Sequence, residues 1–346
     1  MINKIKLIAL KAIYIIILLL VSFNNFKILN ASETYTLVTI NQKSSNSFSS
    51  SSLKVQASIS PIYSLVAMIT KGIIAPGIIL DSITSPHHME LTYKQISKIK
   101  SADILFVVSK NLESGIVKIA QDNKIHLIVL EDSEKLVLYP FNNESFNKPQ
   151  KLNSPNHNNH SHNHNDNPLD YHYWLDPHNA KILLSNIAKH LSTLDPTNAP
   201  LYNKNLVFYQ EKLDALDKDI KKILDFNNKN SAFKALFYHN AWQYYVKRYN
   251  ISFYATIATE DDHHHLDTSL STRDILQLTD YVKNNKINCI FTEKQFEDKV
   301  LTKFAQKNQI LTATLDPLGY KDAHPEDIYF DVMKKNTQII KNCSYL

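Results

Sequence analysis

The residues of this chain that could do chemistry are histidines, and four positions set them or a carboxylate where an ordered segment ends. His172 lies inside Asp170-Tyr171-His172-Tyr173-Trp174-Leu175-Asp176-Pro177-His178-Asn179-Ala180, an aromatic stretch running into a helical pattern. His87 and His88 follow Ser85-Pro86, His239 follows the apolar run Lys234–Tyr238, and Asp316 follows Ile310–Leu315. Neutral imidazole is the commonest protein ligand for metals. Three imidazoles and one carboxylate, His87, His172, His239 and Asp316, make a tetrahedral set suited to zinc, and the carboxylate offsets part of the cation's charge. Manganese or iron would draw more oxygen ligands. A lone histidine is more often a core or turn residue, so the set carries the reading and no single member does.

The elements around these positions read as a parallel α/β sheet built twice. In the first half, Lys54–Ser60, Gly77–Leu80, Asp103–Val108 and Ile125–Leu130 have strand character, and the third is apolar throughout, as a strand buried on both faces is. Helical patterns at Ile62–Thr70, Tyr93–Lys100 and Leu112–Gln121 separate them. A helix over Ala180–Leu194 follows. Tyr202, Leu206, Tyr209, Leu213, Leu216, Ile220 and Ile223 then recur at spacings of four and three, predicting an amphipathic helix of roughly 25 residues. In the second half, strands at Lys234–Tyr238, Ile251–Ile257, Ile287–Thr292 and Ile310–Leu315 alternate with helices ending at Tyr249 and spanning Thr272–Asn284 and Val300–Lys307. The expected architecture is two α/β lobes, each a parallel sheet of about four strands flanked by helices, joined by one long rigid connecting helix. The boundaries are 53–195 for the first lobe, 196–226 for the helix and 227–346 for the second lobe. In open parallel sheets ligands bind beyond the carboxyl ends of the strands, which is where the candidate ligands fall.

The composition narrows the function. Of 346 residues 44% are apolar and 21% charged, enough for real cores, and the net charge of +5 is spread out, with no nucleic-acid footprint. Four glycines, none clustered, leave no dinucleotide fingerprint or phosphate loop. Lys4, Lys6 and Lys11 precede an apolar run from Ala12 to Val21, the pattern of a signal peptide over 1–31. No cysteine follows that run, which argues against a lipoprotein. Residues 32–52 read as a flexible leader. The stretch 156–167 carries His157, His160, His162 and His164 among asparagines and has no apolar periodicity. With His263, His264 and His265 after Glu260-Asp261-Asp262, it reads as an accessory, weaker metal collector. A zinc hydrolase is the competing class. It needs a general base beside an open metal position; there is no His-Glu-x-x-His, and Glu113 and Glu293 are the carboxylates that could serve.

Read together, Ala57–Val66, Ser85-Pro86-His87-His88-Met89-Glu90-Leu91, Ala102–Leu105 with Leu112-Glu113, His172–Ala180, Phe237–Ala241, Cys289–Glu293 with Gln295-Phe296, and Thr314–Gly319 resemble the periplasmic metal-binding receptors of ABC transporters, and among them the zinc type. The resemblance covers nearly everything from Val55 onward and implies two α/β lobes joined by one long helix. It implies His87, not His88, as first ligand, His172 as second, His239 as third, where manganese-type relatives usually carry a carboxylate, and Asp316 or water as fourth. It also implies a disulfide between Cys289 and Cys343. The function implied is binding, not catalysis: a monomeric periplasmic receptor that captures Zn2+ and delivers it to an inner-membrane permease, with a manganese or iron receptor as the alternative within the family. Affinity should fall at low pH, because imidazole must be neutral to bind.

Overall fold

In the computed structural model, the described residues are 53–80, 86, 90–141, 169–225, 234–251, 254–257, 270–294, 299–319 and 323–344. The first lobe holds β1 (Val55–Ala57), α1 (Ser60–Thr70), β2 (Gly77–Ile78), α2 (Tyr93–Lys100), β3 (Ile104–Val107), α3 (Ser114–Asp122) and β4 (His126–Val129). Next come α4 (Pro177–Leu194) and α5 (Ala199–Ile223). The second lobe holds β5 (Ala235–Phe237), α6 (Gln243–Arg248), β6 (Tyr254–Thr256), α7 (Thr272–Asn285), β7 (Cys289–Glu293), α8 (Lys299–Lys307), β8 (Leu311–Leu315) and α9 (Ile328–Ser344).

The two sheets share one topology. The first runs β2-β1-β3-β4 and the second β6-β5-β7-β8, every pairing parallel. In each, the chain leaves the first strand to one side and returns on the other. The crevice between the two central strands is therefore a switch point, the place where a parallel sheet opens toward a ligand.

Period-two alternation sorts the second sheet's side chains. Ala235 and Phe237 of β5, with Cys289 and Phe291 of β7, join the large core that continues into the first lobe. Leu236 and Ile290 point the other way, into a smaller cluster with Leu278, Val282, Leu301 and Phe304 from α7 and α8. One apolar core thus runs through both lobes, and α7 and α8 seal only the far face.

The long connector forms as its spacing predicts. Tyr202, Tyr209, Leu213, Leu216 and Ile220 are buried along one stripe of α5, whose 25 residues span about 37 Å. Helix α4 begins at Pro177, three residues before the sequence pattern suggested. The Asp176 carboxylate accepts from the His178 N–H at 2.8 Å, and proline at the first turn loses no hydrogen bond. Helix α9 was not anticipated. It packs on β8 of the second lobe and on α1 and α5, and the Tyr329 N–H donates to Ser64 Oγ of α1 at 3.0 Å. The joint between the lobes is therefore made by α9 as well as α5. Arg248 of α6 adds a paired contact, donating from Nε and Nη2 to the two carboxylate oxygens of Asp217 on α5, at 3.0 and 2.6 Å.

Cys289, on β7, and Cys343, near the end of α9, form a disulfide with Cα atoms 6.1 Å apart. It ties the bridging helix to the second sheet across a separation of 54 residues. Closing such a loop removes about 4 kcal/mol of denatured-state entropy. Cys343→Ser, or reduction, should lower the urea midpoint accordingly. An unchanged midpoint would mean that packing of α9 alone carries the joint.

Candidate metal centre

In the second lobe the register of the central strands sets the first pair. Phe237 of β5 lies opposite Phe291 of β7. Two residues further along each strand, on the same side of the sheet, stand His239 and Glu293. Glu293 Oε2 lies 3.0 Å from His239 Nδ1 and accepts its proton-bearing N–H. The other oxygen, Oε1, accepts from Trp242 Nε1 at 2.8 Å. Both side chains are buried.

In the first lobe the same arrangement is made locally. Asp170 Oδ1 accepts from the backbone N–H of His172 at 2.9 Å and from its Nδ1 at 2.8 Å. Asp170 in turn is held by the second lobe: its Oδ2 accepts from Gln243 Nε2 at 3.1 Å, and its carbonyl accepts from the Tyr244 hydroxyl at 2.8 Å. Gln243 and Tyr244 open α6, which starts four residues past His239. One short helix thereby sets the position of both histidines.

The two imidazoles face each other, with ring centroids 4.9 Å apart and planes at 84°. A carboxylate on each Nδ1 fixes the tautomer and the ring orientation, which is how ligating histidines are usually held. Among the described residues, Asp170 and Glu293 form ion pairs only with these histidines and none with Lys or Arg. Burying an anion without a counter-charge is costly. A divalent cation between the rings would supply that charge, so the donor set fits a metal.

Asp316 stands at the end of β8 in a turn of its own. Its Oδ1 accepts from the N–H groups of Leu318 and Gly319 at 3.0 and 2.8 Å. Gly319 has φ +87°, and a Cβ there would meet Val332 Cγ2 at 2.5 Å, so the turn needs glycine on both counts. Burial pushes the Asp316 carboxyl up, the two N–H bonds pull it back, and Glu293 repels it. The turn is joined to the His172 segment by Trp174 Nε1, which donates to the Pro317 carbonyl at 3.0 Å.

The structure therefore brings His172 and His239 together. Among the described residues no group of three His, Cys, Asp or Glu side chains is gathered to hold a metal. His87 and His88 lie outside the described residues, as do the accessory candidates His157, His160, His162, His164, His263, His264 and His265. Sequence reasoning missed Asp170 altogether and took Glu293 for a possible general base. Both oxygens of Glu293 are engaged. Its position two residues beyond a paired strand residue, level with His239, was the available signal.

Comparison with known proteins supplies the family. Residues 55–343 match the family model described as ZnuA, zinc-uptake complex component A periplasmic. The chain is 27% identical over 318 residues to the high-affinity zinc uptake system protein ZnuA of Brucella abortus (strain 2308), covering 84% of this chain and 91% of that protein. It is 30% identical over 315 residues to the manganese ABC transporter substrate-binding lipoprotein scaA of Streptococcus gordonii, covering 85% and 90%. A crystal structure of ZnuA superposes with a TM-score of 0.68 at 22% identity, covering 85% of this chain and 99% of that one, which is a likeness of fold. The chain belongs to the ZnuA family and is a metal-binding solute-binding protein of the ABC-transporter type.

Proposed function

We propose that this receptor captures Zn2+ between its two lobes and delivers it to the permease of a zinc ABC transporter. The observation that carries the reading is the buried His172–His239 pair, one imidazole from each lobe, each backed by a buried carboxylate. Imidazole suits zinc better than manganese. His87 would be the third ligand, and Asp316 or water the fourth. The family description and the Brucella relative support zinc. The chain would act as a periplasmic monomer, exported by the signal at 1–31, with the histidine-rich stretches at 156–167 and 263–265 as weaker collectors. A manganese receptor is the second reading, favoured by the Streptococcus relative.

A competitive titration of zinc against manganese, with metal counted per chain, decides between them. Tight zinc uptake that excess manganese does not displace is expected, and manganese preference would overturn the zinc assignment. His239→Ala should abolish tight binding, whereas removing 156–167 should leave it nearly intact; equal losses would contradict this division of labour. Glu293→Gln keeps the size of the side chain but weakens the hold on His239. It should reduce zinc affinity by about 10- to 100-fold, with little change in the unfolding midpoint of the metal-free protein. Unchanged affinity would mean that Glu293 does not orient the ligand.

A further inference from the structure

The first lobe also has a carboxylate at its switch point, and the capture of metal described above does not use it. Ala57 and Phe106 pair in the first sheet as Phe237 and Phe291 do in the second. In the first lobe the crevice just past that pair holds the side chain of Glu113, fully buried. Glu113 Oε2 accepts from the N–H groups of Val108 and Ser109 at 2.5 and 3.1 Å. Its Oε1 has no hydrogen-bond partner, nor has Ser58 Oγ, at the end of β1.

The same exit of β3 carries the metal-bearing turn. The Tyr173 hydroxyl donates to the Val108 carbonyl at 2.8 Å, and Tyr173 is the neighbour of His172. Glu113 thus grips the N–H of the residue whose carbonyl grips the turn. The groups acting on it are few. Burial pushes Glu113 up to about 7. The Ser109 and Val108 N–H groups pull it back, and Glu131 repels it. Tyr173, against the far side of Val108, is buried and held well above the usual phenol range. Lys110, near in sequence, is exposed and paired with Asp132.

We infer that Glu113 is a positioning residue for His172 that exchanges a proton for the metal: cation capture favours the ionised carboxylate, which tightens the β3 exit and, through Val108 and Tyr173, the turn that holds the ligand. This rests on reading the His172–His239 pair as the metal centre. In the metal-free protein Glu113, pushed up to about 7 by burial, holds a proton in part of the population near neutral pH. As the cation arrives the O–H bond breaks, its electron pair stays on the carboxylate and the proton passes to buffer. A charge acts at longer range inside a protein than in water, and hydrogen bonds to a charged acceptor are the stronger ones.

Glu113→Gln is the test, because the amide oxygen can still accept both N–H groups and the amide nitrogen can donate to Ser58. Zinc is titrated calorimetrically between pH 6 and 8 in buffers of different ionisation enthalpy, which counts the protons released. Wild type should release more protons per zinc than E113Q near pH 6.5, by up to one. Its zinc affinity should fall more steeply on acidification, by up to about tenfold more per pH unit. Equal proton counts and parallel profiles would overturn the inference while leaving zinc capture intact. A wild type that binds no zinc at all would instead overturn the metal-centre reading.

A second readout needs no metal. A carboxyl raised on folding from near 4.5 to about 7 stabilises the fold fully below the lower value, and that stability is lost as pH rises through the upper one. The melting temperature of metal-free E113Q relative to wild type should therefore increase from pH 5.5 to 8.5. A difference independent of pH would mean that Glu113 does not change protonation in this range.

Discussion

The short turn Tyr173–Leu175 is fastened to both lobes by buried hydrogen bonds, and the geometry of the metal centre depends on that fastening. The Tyr173 hydroxyl reaches the Val108 carbonyl of the first lobe, Trp174 Nε1 reaches the Pro317 carbonyl of the second, and the Tyr329 hydroxyl of α9 returns to the Trp174 carbonyl. All three side chains of the turn are fully buried. Each bond contributes only about 1 kcal/mol net, but a buried donor or acceptor stripped of its partner costs about 1–3 kcal/mol. Spreading the lobes would break several at once while exposing the shared core. The spacing of His172 and His239 is therefore a property of the packed molecule.

That preorganisation sets the electrostatics. Asp170 and Glu293 are buried where they are needed to orient imidazoles, and the donors around them, Gln243 and Trp242, are neutral. Among the described residues neither carboxylate is paired with Lys or Arg, so a divalent cation beside the rings would bring positive charge that the site otherwise takes only from its histidines. On the proposed reading, a divalent ion entering between the lobes would offset part of the cost of burying these carboxylates.

Most of the fold was legible in the sequence because its signals are local. Continuous apolar strands such as Ile104–Val107, the four-and-three spacing along α5 and the turn residues at strand ends each report their own segment. The strands nonetheless came out shorter than the runs that pointed to them: β1 covers Val55–Ala57, although Lys54 and Ser58 still contribute backbone bonds to β3. Helix α9 escaped because its buried residues, Tyr329, Val332, Met333, Asn336, Thr337 and Ile340, mix polar with apolar types. Asn336 and Thr337 are buried for their hydrogen bonds, to the Asp316 carbonyl and the Tyr245 hydroxyl, which no periodicity of hydrophobicity reveals. His239 and Asp316 were visible as candidate ligands by residue type at strand ends. The carboxylates behind them were not, because Glu293 meets His239 across 54 residues of chain and only the strand register brings them level.

The two lobes share a topology yet use their switch points differently, and the difference bears on metal choice. In the second lobe the crevice carboxylate holds a histidine directly, through His239 Nδ1. In the first lobe it holds backbone, and the paired histidine, His172, comes from a turn outside the sheet. Asp316 has one oxygen committed to the N–H groups of Leu318 and Gly319. Asp170 and Glu293 each spend both oxygens on orienting donors. Oxygen is thus scarce around the two rings although carboxylates are near. A metal that wants many oxygens would have to take them from groups that hold the imidazoles in place, whereas one content with nitrogen leaves that support undisturbed. Selectivity on this view comes from what the carboxylates are already doing, and their number near the site is a poor guide to it.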